Sequence, residues 1–121
     1  MFPLDKLDVY AKARALAAEC HRVAGALPDR DLRSQLLRSA RAIPANLAEG
    51  ASSETQASFA RYVAIAVASA RETASHLHIA QDAGLLPGDD CAALHTRLDN
   101  LIPRLVRLLS AVRQNAKRRA G

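Results

Sequence analysis

The chain has 121 residues, enough for one domain with a single core. Half of them are hydrophobic, yet only 3% are aromatic and none is Trp. Ala and Leu, which head the helix propensity scale, therefore have to pack a thin core. No apolar run approaches the roughly 20 residues that span a bilayer. The opening Met1-Phe-Pro-Leu-Asp-Lys-Leu-Asp is too acidic, and too short in apolar residues, for a signal peptide. These features exclude a helical membrane protein and point to the cytoplasm, with Cys20 and Cys91 as reduced thiols on packed faces. The net charge of +5 permits a nucleic acid or an acidic partner. It is equally the charge of a solvated helical surface with a cationic end that complements the helix dipole.

A first helix is expected from Asp5 to Ala26. Val9, Ala13, Leu16, Cys20 and Val23 fall on one side at 100° per residue, and Asp8, Lys12, Glu19 and Arg22 on the other. Asp8 and Lys12 are spaced as an i,i+4 pair. Leu27-Pro28 ends the helix, because the residue before proline avoids the α region.

Asp29 caps a second helix, Arg30 to Glu49, with Leu32, Leu36, Ala40, Ile43 and Leu47 as its stripe. Ser39 and Asn46 lie at the edge of that stripe. Pro44 sits inside the helix and should kink it rather than break it at Ile43, because the stripe keeps its phase. Gly50 is the expected glycine just past the C-terminus.

Ser53 and Gln56 have the spacing of a capping box opening a third helix, which runs to Ala83 and stops at Gly84. Phe59, Val63, Ala66, Ala70, Thr73 and Leu77 form its main stripe. Its back also carries Ile65, Ala68 and Ile79, beside Arg61, Glu72 and His76. A helix apolar on more than one side is buried on more than one side, so a subunit contact is expected there.

After the turn Leu85-Leu86-Pro87-Gly88, with Asp89 or Asp90 as cap, the last helix should cover Cys91 to Gln114. Leu94, Leu98, Leu101, Leu105, Leu109 and Val112 form its stripe, and Pro103 falls on the outer side. Residues 1–114 then make a single all-α domain, an antiparallel up-down-up-down four-helix bundle. Residues 115–121 make a basic C-terminal tail. No stretch alternates with period two, so a sheet is not expected.

The run Gln35-Leu-Leu-Arg38-Ser-Ala-Arg-Ala-Ile43-Pro-Ala-Asn46-Leu-Ala-Glu49-Gly50 resembles the signature of the 23S rRNA intervening-sequence protein family. So do Phe59-Ala-Arg61-Tyr-Val-Ala-Ile65 and its continuation to Glu72, the early Leu7-Asp-Val-Tyr10 and the Leu27-Pro28 turn. Two positions depart from the family pattern. Ala42 stands where a Ser precedes the Ile, and Ala51-Ser52-Ser53 replaces an Arg after the glycine. The resemblance implies a four-helix bundle that assembles into a ring, a pentamer, with no catalysis. It also implies a likeness in fold to the accessory variability determinant proteins of diversity-generating retroelements, which are basic rings that bind nucleic acid.

The family motif places Arg38, Asn46, Glu49, Gly50, Arg61 and Glu72 as structural or interface residues. Arg38, Glu49, Arg61 and Glu72 are candidates for a charged network between the second and third helices. Arg30, Arg33, Arg41, Arg104, Arg107, Lys117, Arg118 and Arg119 are the candidate contacts to RNA or DNA. With so few aromatics to stack on bases, readout would be of phosphate and shape. Cys91 with His95 and Glu72 with His76 have i,i+4 spacing, but no His-Glu-x-x-His or Cys-x-x-Cys occurs, so no metal is expected. There is no Gly-x-Ser-x-Gly and no Gly-rich phosphate loop, so neither an enzyme nor a cofactor is expected. A protein-docking adaptor is the alternative to a nucleic-acid binder.

Overall fold

A computed structural model of the chain describes residues 2–120, without the side chain of Asp5. Met1 and Gly121, the ends of the expected domain and tail, lie outside the described residues. The first element is a single 3-10 turn, Leu4–Lys6. Four helices follow: α1 (Asp8–Ala24), α2 (Arg30–Ser52), α3 (Gln56–Asp82) and α4 (Gly88–Ala120). No strand occurs among the described residues.

Cross-helix contacts fix the antiparallel order. Asp8 at the start of α1 meets Arg104 midway along α4, and Arg22 near the end of α1 meets Asp90 in the first turn of α4. Ser39 of α2 meets Thr73 of α3, and His78 of α3 stacks on His95 of α4. Helices α1 and α3 stand on the diagonal, with no close approach of their backbones among the described residues. The core runs the length of the bundle through fully buried Leu16, Leu36, Ile43, Leu47, Leu77, Leu98 and Leu105. The heptad-like stripes read from the sequence supply it.

Several boundaries move. Helix α1 starts at Asp8 rather than Asp5, because Leu7 is extended and closes the 3-10 turn by donating to the Leu4 carbonyl. Helix α2 runs unbroken through Pro44 and past Gly50 to Ser52, so Gly50 is not a C-terminal stop. Ser53 caps the end of α2, and its hydroxyl donates to the Gly50 carbonyl. The N-cap of α3 is Thr55, whose Oγ1 accepts from the Ser58 amide at 3.0 Å, in place of the expected Ser53–Gln56 box. Helix α4 begins at Gly88, which puts Asp89 and Asp90 inside the first turn, where carboxylates suit the dipole. It continues as helix through residues 115–120, the stretch expected as a tail. Asp8 pairs with Arg104 rather than Lys12.

Candidate functional site

The motif on α2 builds a tight seam with α3. Gly50 is buried, and a Cβ placed on it would lie 2.9 Å from Cδ1 of Phe59 and 3.1 Å from Cβ of Tyr62. Glycine is present because the first turns of α3 approach the α2 backbone, not because the chain must turn. Three turns earlier the same seam buries two hydroxyls. Oγ1 of Thr73, fully inaccessible, lies 2.9 Å from Oγ of Ser39 and 2.8 Å from the Ser69 carbonyl. Oγ of Ser39 is also 3.1 Å from the Leu36 carbonyl. Each hydroxyl therefore has an acceptor for its proton, and the pair adds a polar lock at no cost in unsatisfied groups. Asn46, two turns further along α2, is half-buried and donates from Nδ2 to the Ala42 carbonyl on its own helix at 2.8 Å.

The charged network between α2 and α3 does not form. Arg38, Glu49, Arg61 and Glu72 make no ion pair with one another. At 100° per residue Arg38 and Glu49 lie toward the outer arc of α2, beyond the residues that meet α3. Glu72 instead approaches Nε2 of His76 at 3.4 Å, and the Arg61 guanidinium covers the Tyr62 ring at 4.8 Å. The outer arc of α3 also shows Ile65, 40% exposed, and Ile79, 52% exposed.

The candidate nucleic-acid contacts separate into two groups. Arg30, Arg33 and Arg41 lie on α2, and Nη1 of Arg33 donates to the Leu27 carbonyl while Nε of Arg41 donates to the Leu37 carbonyl. Arg104, Arg107, Lys117, Arg118 and Arg119 lie on α4, across the diagonal from α2, from mid-helix to its last turn, with Arg30 and Lys117 roughly 40 Å apart at 1.5 Å per residue. After Asp99 the chain carries six basic residues and no acidic one. Arg104 is held by Asp8 at 3.3 Å, and Arg118 bonds Asn115 on its own helix. Arg107, Arg113, Lys117 and Arg119 project from an exposed helical surface.

The histidine stack between α3 and α4 is invisible when each helix is read alone. The rings of His78 and His95 stack with centroids 4.4 Å apart, and Nε2 of His95 is buried without a partner. Burial, then the neighbouring His78, holds His95 below the usual imidazole range, against a smaller opposing pull from Asp99. Cys20 and Cys91 are fully buried free thiols, and burial pushes the Cys20 thiol up to about 12. Among the described residues no group of three or more His, Cys, Asp or Glu side chains is placed to hold a metal ion. No helix among them is long and apolar enough to cross a membrane. Open grooves run along α1. One of about 530 Å³ against α4 is lined by Asp8, Lys12, Thr96, Arg97 and Asn100, together with alanines.

The model of the 23S rRNA-intervening sequence protein family matches residues 5–107. The chain belongs to that family. A crystal structure of a protein of unknown function, from the S23 ribosomal protein family of Bacteroides thetaiotaomicron, superposes with a TM-score of 0.78 at 20% identity, covering 84% of this chain and 97% of that one. At that identity the likeness shows the fold. No curated protein matches significantly. All the motif residues, together with Arg104 and Arg107, fall inside the segment that matches the intervening-sequence family, whereas Arg113 and Lys117-Arg118-Arg119 lie beyond it.

Proposed function

We propose that this intervening-sequence family protein is a non-enzymatic cytoplasmic bundle that assembles with copies of itself into a ring, a pentamer, and binds RNA or DNA through phosphate contacts. The observation that carries the nucleic-acid part is the end of α4, where six basic residues follow Asp99 on an ordered helix with no acid among them. Such a cluster attracts a polyanion without any base-reading group. Self-assembly is supported by Ile65 and Ile79, exposed on the outer arc of α3. The same pair favours a second reading, a protein-docking scaffold that takes no nucleic acid.

Fluorescence anisotropy with a hairpin RNA and a DNA duplex, across a salt series, tests the proposal. Sub-micromolar binding at low salt is expected, weakening steeply as salt rises. Replacing Arg113, Lys117, Arg118 and Arg119 by Gln should flatten the slope by about 0.9 for each duplex phosphate that is no longer neutralised. Absence of binding at low salt, or binding unchanged in that variant, would overturn it and leave the docking scaffold.

A further inference from the structure

Two helices carry an outward seam with the 3-4 spacing of a coiled coil. On α3 it is Arg61, Ile65, Ala68, Glu72, Ser75 and Ile79, a row centred on the exposed isoleucines. On α1, continuing one residue past its end, it is Asp8, Ala11, Ala15, Ala18, Arg22 and Gly25. A repeat of 3.5 residues keeps a seam facing a second helix along its length. The two helices stand on the diagonal of the bundle, so the seams look away from each other. One seam projects large side chains and the other is floored by small ones, so the two are complementary to each other rather than each to itself.

We infer that the α3 seam of one copy docks on the α1 seam of a second copy, with the two helices parallel. The inference rests on the self-assembly proposed above and says which surfaces carry it. Charge selects the direction. With Asp8 opposite Arg61, Ile65 falls between Ala11 and Ala15, Ala15 stands opposite Ala68, and Glu72 falls between Ala18 and Arg22. Ile79 then reaches the level of Gly25. The antiparallel arrangement that keeps Ala15 opposite Ala68 would set Arg22 against Arg61, like against like, and Asp8 at Ser75, one turn from Glu72. Asp8 and Arg22 already hold Arg104 and Glu19 within the bundle, but their side chains remain 65% and 64% exposed, open to a second partner. Two different surfaces meeting make a head-to-tail contact, which closes into a ring when the rotation allows it. Helices α1 and α3 run the same way in one bundle, so a rotation about an axis along the bundle preserves the parallel pairing.

The test uses the full chain with single substitutions on the two seams, Ala15→Cys and Ala68→Cys, and a short bismaleimide. Fully buried Cys20 and Cys91 should not compete for the reagent. Co-expressed, the two variants should give a crosslinked dimer as the main product, while either variant alone should give none. A dimer from Ala68→Cys alone or Ala15→Cys alone would mean that like surfaces meet, and would overturn the head-to-tail contact. No crosslink in an assembly that keeps its molar mass by light scattering would overturn these seams while leaving self-assembly standing. A wild-type mass of one chain would overturn both together.

Discussion

Between α2 and α3 the backbones come so close that Gly50 has no room for a methyl group, and two hydroxyls meet in the core. Between α1 and α4 an open groove runs along the surface, and the ion pairs that cross it, Asp8–Arg104 and Arg22–Asp90, sit near its two ends. The residues explain the contrast. Small side chains at Ser39, Ala66, Ser69 and Ala70 are buried at the first seam. Ala11 and Ala15 of α1 line the groove instead. Small residues facing a partner helix bring it in, whereas small residues facing out leave a hollow. Exposed ion pairs contribute about 0–1 kcal/mol each, so the α1–α4 edge is held by its leucines rather than its charges.

The contrast breaks most clearly at the two glycines. Gly50→Val should destabilise the fold by about 3 kcal/mol, because the added methyls meet a ring and a Cβ rather than the end of a flexible side chain. At roughly 4 °C per kcal/mol, thermal melting should fall by about 10 °C. A drop under about 2 °C, half a kcal/mol on the same scale, would mean that the seam yields. Thr73→Val should cost about 1 kcal/mol by leaving Ser39 with one partner fewer, and adding Ser39→Ala should recover part of that loss. A double-mutant cycle in denaturant checks the coupling, and strict additivity would deny that the pair is a unit.

Gly25 gives the opposite sign. Its backbone is right-handed helical and a Cβ there meets nothing closer than 3.7 Å, so Gly25→Ala should stabilise by about 0.4–1 kcal/mol. A loss of stability on urea titration would show that this end of α1 is tighter than its geometry.

The smallest effect depends on pH. His95 has its imidazole value lowered in the fold, so the unfolded chain binds the extra proton first as pH falls. Stability should therefore decline as pH drops below the ordinary value of 6.5 and level off once the lowered folded value is passed. His95→Gln should remove that part of the decline in melting curves between neutral and mildly acidic pH, and curves parallel to wild type would exclude it.

Much of the fold is legible in the chain. The four stripes, the Leu27-Pro28 break and the Gly84 stop are local, and periodicity reads local order well. Gly84 does adopt φ 68°. Gly50 reads as a stop because a glycine at a helix end and a glycine under a crossing aromatic look alike in sequence, and only Phe59 and Tyr62 distinguish them. The Ser39–Thr73 lock and the His78–His95 stack depend on the register between helices, which no single stripe encodes. A signal for the lock is present, since both are polar residues on or beside apolar stripes. The expected charge network fails because shared direction on two wheels is not contact, and Arg38 and Glu49 lie beyond the line where α2 meets α3.

The claim that reaches furthest is that the outer arc of α3 is covered by another copy of the chain. Light scattering on the purified wild-type protein at micromolar concentration tests it directly. A mass several times 13.0 kDa, and five times that value for a pentameric ring, is the expected result. A mass of 13.0 kDa would contradict it and leave Ile65 and Ile79 facing water.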